Sequence, residues 1–330
     1  MGSLTDQSGQ GTGAISSFCL APSGSLVPFH AAVPAGLEYL SSSHGYLALT
    51  DPRTSSPKAI VLANPVNDRR VQLPPVGFFK KWIDVTAAVL SADPAAAAEW
   101  SAVAVGFPTS CLAHYSSVTG AWRRLGFSVN GYVGVEHYNG RFYVAFKSQL
   151  CVLEVDGDAP AVIPLELEHV DIVGSDDDEK VPGSGKRVIE THLVECDGEL
   201  LLVSVHDGVE YSSDVVDIIS GHSRTVEVHR VEWHDGDPLR LVKVVNLGWN
   251  ALFLGRNQAF ALSPAEFPAC RVNCIYLVDR QGHPDGLVRV FHMESQWSRR
   301  QETICPDDGL RGVPASVIVL ILSRPFQRQY

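Results

Sequence analysis

Several short runs in this sequence carry residue types that do chemistry, and their spacing decides what each can be. Gly185 and Lys186, in GSGKR, would supply the backbone cradle and the cation of a phosphate loop. That loop needs a glycine at position 180, where Lys180 stands, and the acids Asp176 to Glu179 beside it repel phosphate. GHSRT (221–225) begins like the sharp turn that presents a nucleophilic serine, yet Thr225 occupies a place that the turn reserves for glycine. Gly9, Gly11 and Gly13 share part of a dinucleotide-binding spacing, but no strand leads in and no helix follows. Cys270 and Cys274, with His283 and His292 downstream, have the residue types of a zinc cluster. Structural zinc takes two histidines about three to five residues apart, whereas these are wider, so Cys274 beside Ile275-Tyr276-Leu277-Val278 reads as a strand residue. The acidic run 176–179 lacks the alternating spacing and the closing glutamate of a calcium loop, and reads as a solvated insertion. These motifs leave no expected catalytic residue, no cofactor and no metal.

Recognition of another protein is the chemistry that remains. GFFKKW (77–82) places Phe79, Lys80, Lys81 and Trp82 in one short loop, with Phe78 beside them, and Trp249 and Arg256 stand in another region. Tryptophan and arginine dominate interface energetics, so these six positions are the expected partner-binding residues. The competing expectation is that Phe78 and Trp82 pack inside the fold, because aromatic side chains are usually buried.

What must position them is set by composition. Hydrophobic residues make up 45% of the 330 positions and charged residues 19%, below the usual ~25%, so a sizeable core is available. With 28 Gly, 20 Pro and only 2 Met, turns outnumber long helices and the class is all-β. There are 26 Lys and Arg against 37 Asp and Glu, a formal net charge of −11, which repels nucleic acid in the absence of a segregated basic patch. The 7 cysteines are odd in number and scattered, and no glycosylation sequon occurs; a reducing compartment, cytoplasmic or nuclear, is expected. The most apolar run, 313–322, is far shorter than the ~20 residues of a membrane span and reads as a buried strand. No membrane partner is expected.

Residues 1–36 read as a Gly, Ser and Thr-rich flexible leader, and 37–330 as one folded unit with an acidic insertion at about 169–190. Within that unit a glycine-bearing turn followed by an apolar strand recurs at HGYLAL (44–49), EWSAVAVG (99–106), NGRFYVAF (139–146), DGELLLVSV (197–205) and GRNQAFAL (255–262). The spacing suits four-stranded propeller blades of ~40–50 residues with insertions, and about six blades are expected. Phe142 to Phe146 and Leu200 to Val203 are predicted as inner strands, apolar on both faces because blades cover both sides. In RTVEVHRVEW (224–233) the apolar parity changes between Val228 and Val231, which predicts a one-residue bulge there. Asn139-Gly140 and Asp197-Gly198 predict tight hairpins. Residues 95–100, after Pro94, are the one candidate for a turn of helix. The stretch 294–330 leaves open whether a last strand closes the ring.

The order SSSHGYLAL, VLANPVNDRRVQLPP (61–75), AVLSADP (88–94), GAWRRL (120–125), YNGRFYV (138–144) and HLVECDGELLLV (192–203) resembles a plant family. LGWNALFLGRNQAFALSPAEFPACRVNCIYLVD (247–279) is the most specific part. The sequence is similar, over roughly residues 37 to 293, to the plant F-box-associated β-propeller family of the KIB type, a domain of unknown function. The resemblance implies a β-propeller that recruits a protein target for a ubiquitin ligase. In such proteins a preceding helical F-box with two tryptophans binds a Skp-type adaptor. Residues 1–36 contain no tryptophan and no helical periodicity, so only the recruiting half of that role carries over. A substrate receptor, an F-box-less regulator and, as an alternative, an enzyme with its site in the central funnel are the implied functions.

Overall fold

The structure is a computed structural model that describes residues 12–20, 26–34, 37–50, 59–64, 69–79, 84–107, 109–130, 133–147, 149–155, 160–170, 187–208, 223–235, 237–255, 259–265, 270–279, 287–293 and 301–304. These residues form strands and turns, without an α-helix among them. The first three blades each have four antiparallel strands in chain order. Blade one is Glu38–Ser43, Tyr46–Thr50, Ile60–Ala63 and Arg70–Leu73. Blade two is Asp84–Leu90, Ser101–Phe107, Thr109–Ser116 and Ala121–Asn130. Blade three is Gly134–Tyr138, Arg141–Phe146, Gln149–Glu154 and Ala161–Pro164. In blade four the strands Arg187–Cys196, Glu199–Gly208, Ser223–His234 and Asp237–Val244 gain a fifth, Glu168–Val170, parallel to the outer edge.

Blade five is built differently. Its order is Phe260–Leu262, Ala251–Leu254, Cys274–Asp279, Leu287–His292 and Gln301–Ile304, and the second and third of these run parallel. The first strand of each sheet lies against the first strand of the next, as sheets radiating from an axis require. The fold is therefore a β-propeller of five blades. Six were expected; the five recurring sequence units are the five blades, one for one. Thr12–Leu20 and Leu26–Pro34, inside the segment expected as a leader, pair with each other as an antiparallel hairpin.

Stability comes from the spaces between blades. Along one strand successive side chains point to opposite faces, so each strand feeds two cores. Phe142 and Val144 pack toward blade two with Val103, Leu112 and Val135, while Tyr143 and Ala145 pack toward blade four with Leu193, Leu202 and Val231. Each such side chain contributes about 1.5–3 kcal/mol on burial, before the entropy it loses is subtracted. The doubly covered strands are the second ones, with Tyr46–Thr50 buried throughout. Phe142 to Phe146 and Leu200 to Val203 are thus second strands rather than the innermost ones, because the innermost strand faces the channel on its open edge.

The parity change in Ser223–His234 also has a different cause from the expected bulge. Pairing with Glu199–Gly208 runs without interruption from Val226 through Arg230. Val226 and Val228 face blade five and Val231 and Trp233 face blade three, so the apolar side switches because the strand serves first one core and then the other. The register does shift between Glu232 and Trp233, against the outer strand. Residues 95–100 hold one turn, in which the Asp93 carbonyl accepts from the Ala96 and Ala97 amides and its carboxylate from Ala95.

Two close approaches fix neighbouring blades. The hydroxyls of Ser41 and Ser43 accept from the Ala88 and Leu90 amides at 2.9 and 3.0 Å, giving partners to an innermost edge that has no further strand. At Gly134 an added Cβ would stand 2.5 Å from the Thr191 carbonyl oxygen and 3.0 Å from the His192 Cα, so only glycine lets blades three and four meet there.

Candidate interaction site at the turn end of the propeller

The innermost and second strands of blades one, three and four join through two-residue hairpins at the same end of the molecule. Their first residues, His44, Asn139 and Asp197, have φ of 49°, 48° and 51°, and the glycines that follow have φ of 79°, 78° and 76°. Positive φ at both positions matches the right-handed twist of the strands, as Asn139-Gly140 and Asp197-Gly198 predicted. Neighbouring turns are tied together. The Tyr138 hydroxyl donates to the Gly198 carbonyl at 2.6 Å, and Tyr46 hydrogen-bonds Asp93 in blade two and Asn64 in its own blade. Burial, then the Asp93 charge, raises the Tyr46 phenol above its ordinary range.

In blade five the place of those hairpin residues, just ahead of the second strand, is taken by Trp249 and Asn250. Asn250 donates from Nδ2 to Asp197 Oδ2 at 2.5 Å, tying this corner to the turn of blade four. The Leu247 amide donates to Asn273 Oδ1 at 2.9 Å, and the Asn273 amide donates to the Asn250 carbonyl at 2.8 Å. Gly248, at φ 64°, donates to Asn246 Oδ1 at 2.7 Å. Leu247 and Asn250 are buried on either side of a tryptophan that is 79% exposed. The turn is held from both flanks, and Trp249 projects from it.

The blade four hairpin that Asn250 reaches carries acids. Asp197 and Glu199 are exposed and Glu195 is half-buried on the same hairpin. Burial drives the Cys196 thiol up to about 12, with the charges of Asp197, Glu199 and Glu195 acting in the same direction. Arg230 lies 3.4 Å from Glu199 and donates to Glu232 at 3.0 Å, and Arg240 donates to Glu232 at 2.6 Å. Those two guanidinium hydrogen bonds hold the Glu232 carboxyl below the usual range, Arg240 first.

The expected partner-binding residues separate in space. Phe79 is 6% exposed and packs in the core between blades one and two, so its assignment to a recognition surface is corrected. An aromatic ring in the connection between an outermost strand and the next innermost one is drawn into that core. This connection lies at the end opposite the hairpins, so Phe79 and Trp249 share no surface. Phe78 beside it is 37% exposed. Lys80, Lys81, Trp82 and Arg256 lie outside the described residues, as do 171–186 of the acidic insertion, Gly183 to Lys186 of GSGKR with them, and the run 313–322; the ends of the insertion, 169–170 and 187–190, are in strands. Ser223, Arg224 and Thr225 of GHSRT are in a strand, which has no nucleophile turn.

Cys274 Sγ is 3.2 Å from His292 Nδ1, but His283 is not among the described residues, and within these no group of three or more His, Cys, Asp or Glu could hold a metal. Among the described residues the buried carboxylate is Glu136, 2% exposed, on the innermost strand of blade three. Its Oε1 accepts from the His137 amide at 3.2 Å. Asn250, Asn273 and Asp197, which build the Trp249 corner, were not found from the sequence. The fifth repeat read from the sequence, 255–262, falls on the innermost strand of blade five rather than on its second strand Ala251–Leu254, so the repeat alignment did not reach Trp249.

The family profile of the KIB1-4 beta-propeller matches residues 20–295. Among curated proteins none matches the sequence. Similar solved structures include the Bombyx mori GH32 beta-fructofuranosidase BmSUC1, 12% identical, covering 65% of this chain and 52% of that one, with a TM-score of 0.34. The Dos1 propeller is 11% identical, with 83% and 61% covered and a TM-score of 0.34. TolB from Acinetobacter baumannii is 12% identical, with 86% and 62% covered and a TM-score of 0.41. The chain spans about half to three fifths of the length of these three proteins. Its own five radial sheets and a profile match over most of the length agree, and the chain belongs to the KIB1-4 beta-propeller family.

Proposed function

We propose that the chain is a protein-interaction propeller that holds a target protein at its turn end. The observation that supports this most is Trp249, a large aromatic side chain left 79% exposed on a turn whose flanking residues are anchored inward. A turn that is already anchored loses little backbone entropy when a partner covers it, and tryptophan is enriched among residues that dominate binding energy. The finer role follows the family resemblance: recruitment of a target for ubiquitin ligation, or occupation of that target as a regulator without ligase assembly. A cytoplasmic or nuclear location fits the buried thiols of Cys111, Cys151 and Cys196.

Affinity purification of the full chain and of Trp249→Ala from plant cells, read by mass spectrometry, tests this. Proteins recovered with the wild type and depleted with the variant are the expected result. Recovery of a Skp-type adaptor and cullin in that set favours the ligase role, and recovery of a regulator alone favours occupation. Identical recoveries with both proteins would overturn the assignment of the site.

A further inference from the structure

We propose that Asn139 is a self-modification site, converted in the folded protein to aspartate and isoaspartate by attack of the Gly140 backbone nitrogen. The step needs no enzyme, metal or oxidant. The Gly140 nitrogen, having lost its proton to solvent base, bonds to the Asn139 Cγ; the Cγ–Nδ2 bond breaks, ammonia leaves, and a cyclic succinimide remains. Water then opens the ring at either carbonyl. One opening gives aspartate, and the other gives isoaspartate, whose main chain runs through Cβ.

Three matched turns single out this position. His44-Gly45, Asn139-Gly140 and Asp197-Gly198 share one backbone, with φ of 49° and 79°, 48° and 78°, and 51° and 76°. The imidazole at 44 has no carbonyl to attack. At 197 the side chain is a carboxylate, a poor electrophile, and Asn250 holds it from 2.5 Å. At 139 it is a carboxamide, which can release ammonia. Asn139 and Gly140 are exposed, and an added Cβ at Gly140 would meet no atom within 4 Å, so the nitrogen can be reached and the ring has room. The His137 ring bonds the Gly140 backbone in the sense that favours its own proton, which is donation to the carbonyl and not contact with the nitrogen. The ladder closes at Tyr138 and Arg141, and a hairpin tip beyond its last pair opens locally at small cost, which lets Asn139 leave its positive φ and bring Cγ to the nitrogen.

The product changes a tie between blades three and four. Burial raises the Tyr138 phenol, and a hydrogen bond with the Asn139 side chain works against this, as donation to the phenol oxygen does. The same hydroxyl donates to the Gly198 carbonyl at 2.6 Å. A carboxylate at 139 has no proton to give and competes with Gly198 for that hydroxyl. Isoaspartate also adds a main-chain atom, for which a two-residue turn pairing Tyr138 with Arg141 has no place. Conversion therefore loosens this part of the turn end as the protein ages.

Incubation of the full chain at neutral and at mildly alkaline pH, followed by digestion and mass spectrometry, tests the inference. The peptide holding residue 139 should accumulate aspartyl and isoaspartyl forms, faster at the higher pH, and Asn139→Gln should lose the signal, because its longer side chain closes a ring far less readily. Asn130-Gly131 is the other such pair in the sequence, with Gly131 outside the described residues, and fragmentation counts it separately. The same protein in urea gives the rate of the unprotected sequence. Conversion at 139 in urea but not in the folded chain over the same time would overturn the proposal, since the hairpin then shields the site. Aspartate without isoaspartate would overturn attack by Gly140 in favour of direct hydrolysis by water. Asn139→Asp, which tolerates the same positive φ, should stay folded and show faster amide exchange at Arg141 and Glu199. Unchanged exchange there would overturn the loosening of the tie.

Discussion

Blades three and four and blade five are assembled from strands of the same kind, but the chain reaches them by different routes. In the former it runs down the innermost strand, turns through Asn139-Gly140 or Asp197-Gly198, and returns along the second strand. In blade five it arrives at the second strand first, through residues 245–250, and makes the innermost strand afterwards. A short polar residue with positive φ closes each regular hairpin, whereas the irregular arrival is held by the Asn250 and Asn273 hydrogen bonds and leaves Trp249 outside. Regularity serves packing, and the departure in blade five supplies an exposed aromatic group.

The largest expected effect tests how tightly the regular blades are joined. Gly134→Val pushes a side chain into the backbone of Thr191 and His192, and is expected to lower stability by about 1–3 kcal/mol or prevent folding. Urea unfolding measures it, and a midpoint equal to wild type would show that blades three and four do not approach so closely. At the irregular junction, Asn250→Ala removes the donor to Asp197 and should cost about 1–3 kcal/mol. Faster amide exchange at Leu247 should accompany that loss, because the turn carrying Trp249 is then held from one side.

Gly198→Ala and Gly248→Ala compare the two kinds of turn directly. Neither has an atom within 4 Å of an added Cβ, and both have positive φ, so each should cost about 1–2 kcal/mol through the backbone alone. A much larger cost at Gly198 would mean that the hairpin has steric partners at its tip.

A smaller effect separates the innermost strand of blade three by its response to acid. Burial, then the neighbouring His44, lowers the His137 imidazole below its ordinary value, and a hydrogen bond with Gly140 opposes this. The unfolded chain therefore takes up a proton near pH ~6.5 that the folded one refuses, so stability falls as pH drops through that range. Thermal midpoints taken from about pH 7.5 to 5 should fall less for His137→Gln than for wild type. Equal slopes would assign the acid response to other groups. The smallest effect is that of Trp249→Ala on stability, within about 0.5 kcal/mol, since little packing is lost from an exposed side chain. A drop of several kcal/mol would mean that Trp249 is structural and would remove it from the interaction site.

Much of the fold was legible because its units are local. The five glycine-turn and apolar-strand runs mark the five blades, and the left-handed turn residues at 139–140 and 197–198 occur where Asn-Gly and Asp-Gly stand. A sixth blade was expected because repeat length was divided into chain length, while the extra residues are spent on insertions and on the hairpin 12–34. The switch between Val228 and Val231 looked like a bulge because one strand's two faces were assigned to one core. Phe79 looked like a surface anchor because a loop position says nothing of what lies beneath it.

The sequence by itself determined that short apolar strands would stack through both faces, since residues such as 200–203 offer no side to water, and that Gly, Asn and Asp would turn the chain between them. Only the tertiary structure decided which strand lies at the axis, that Phe79 is covered, and that Trp249 is not. Burial depends on what a distant part of the chain brings to the same place. Asp197 holds Asn250 across 53 residues of sequence, and no local pattern of residue types encodes that meeting.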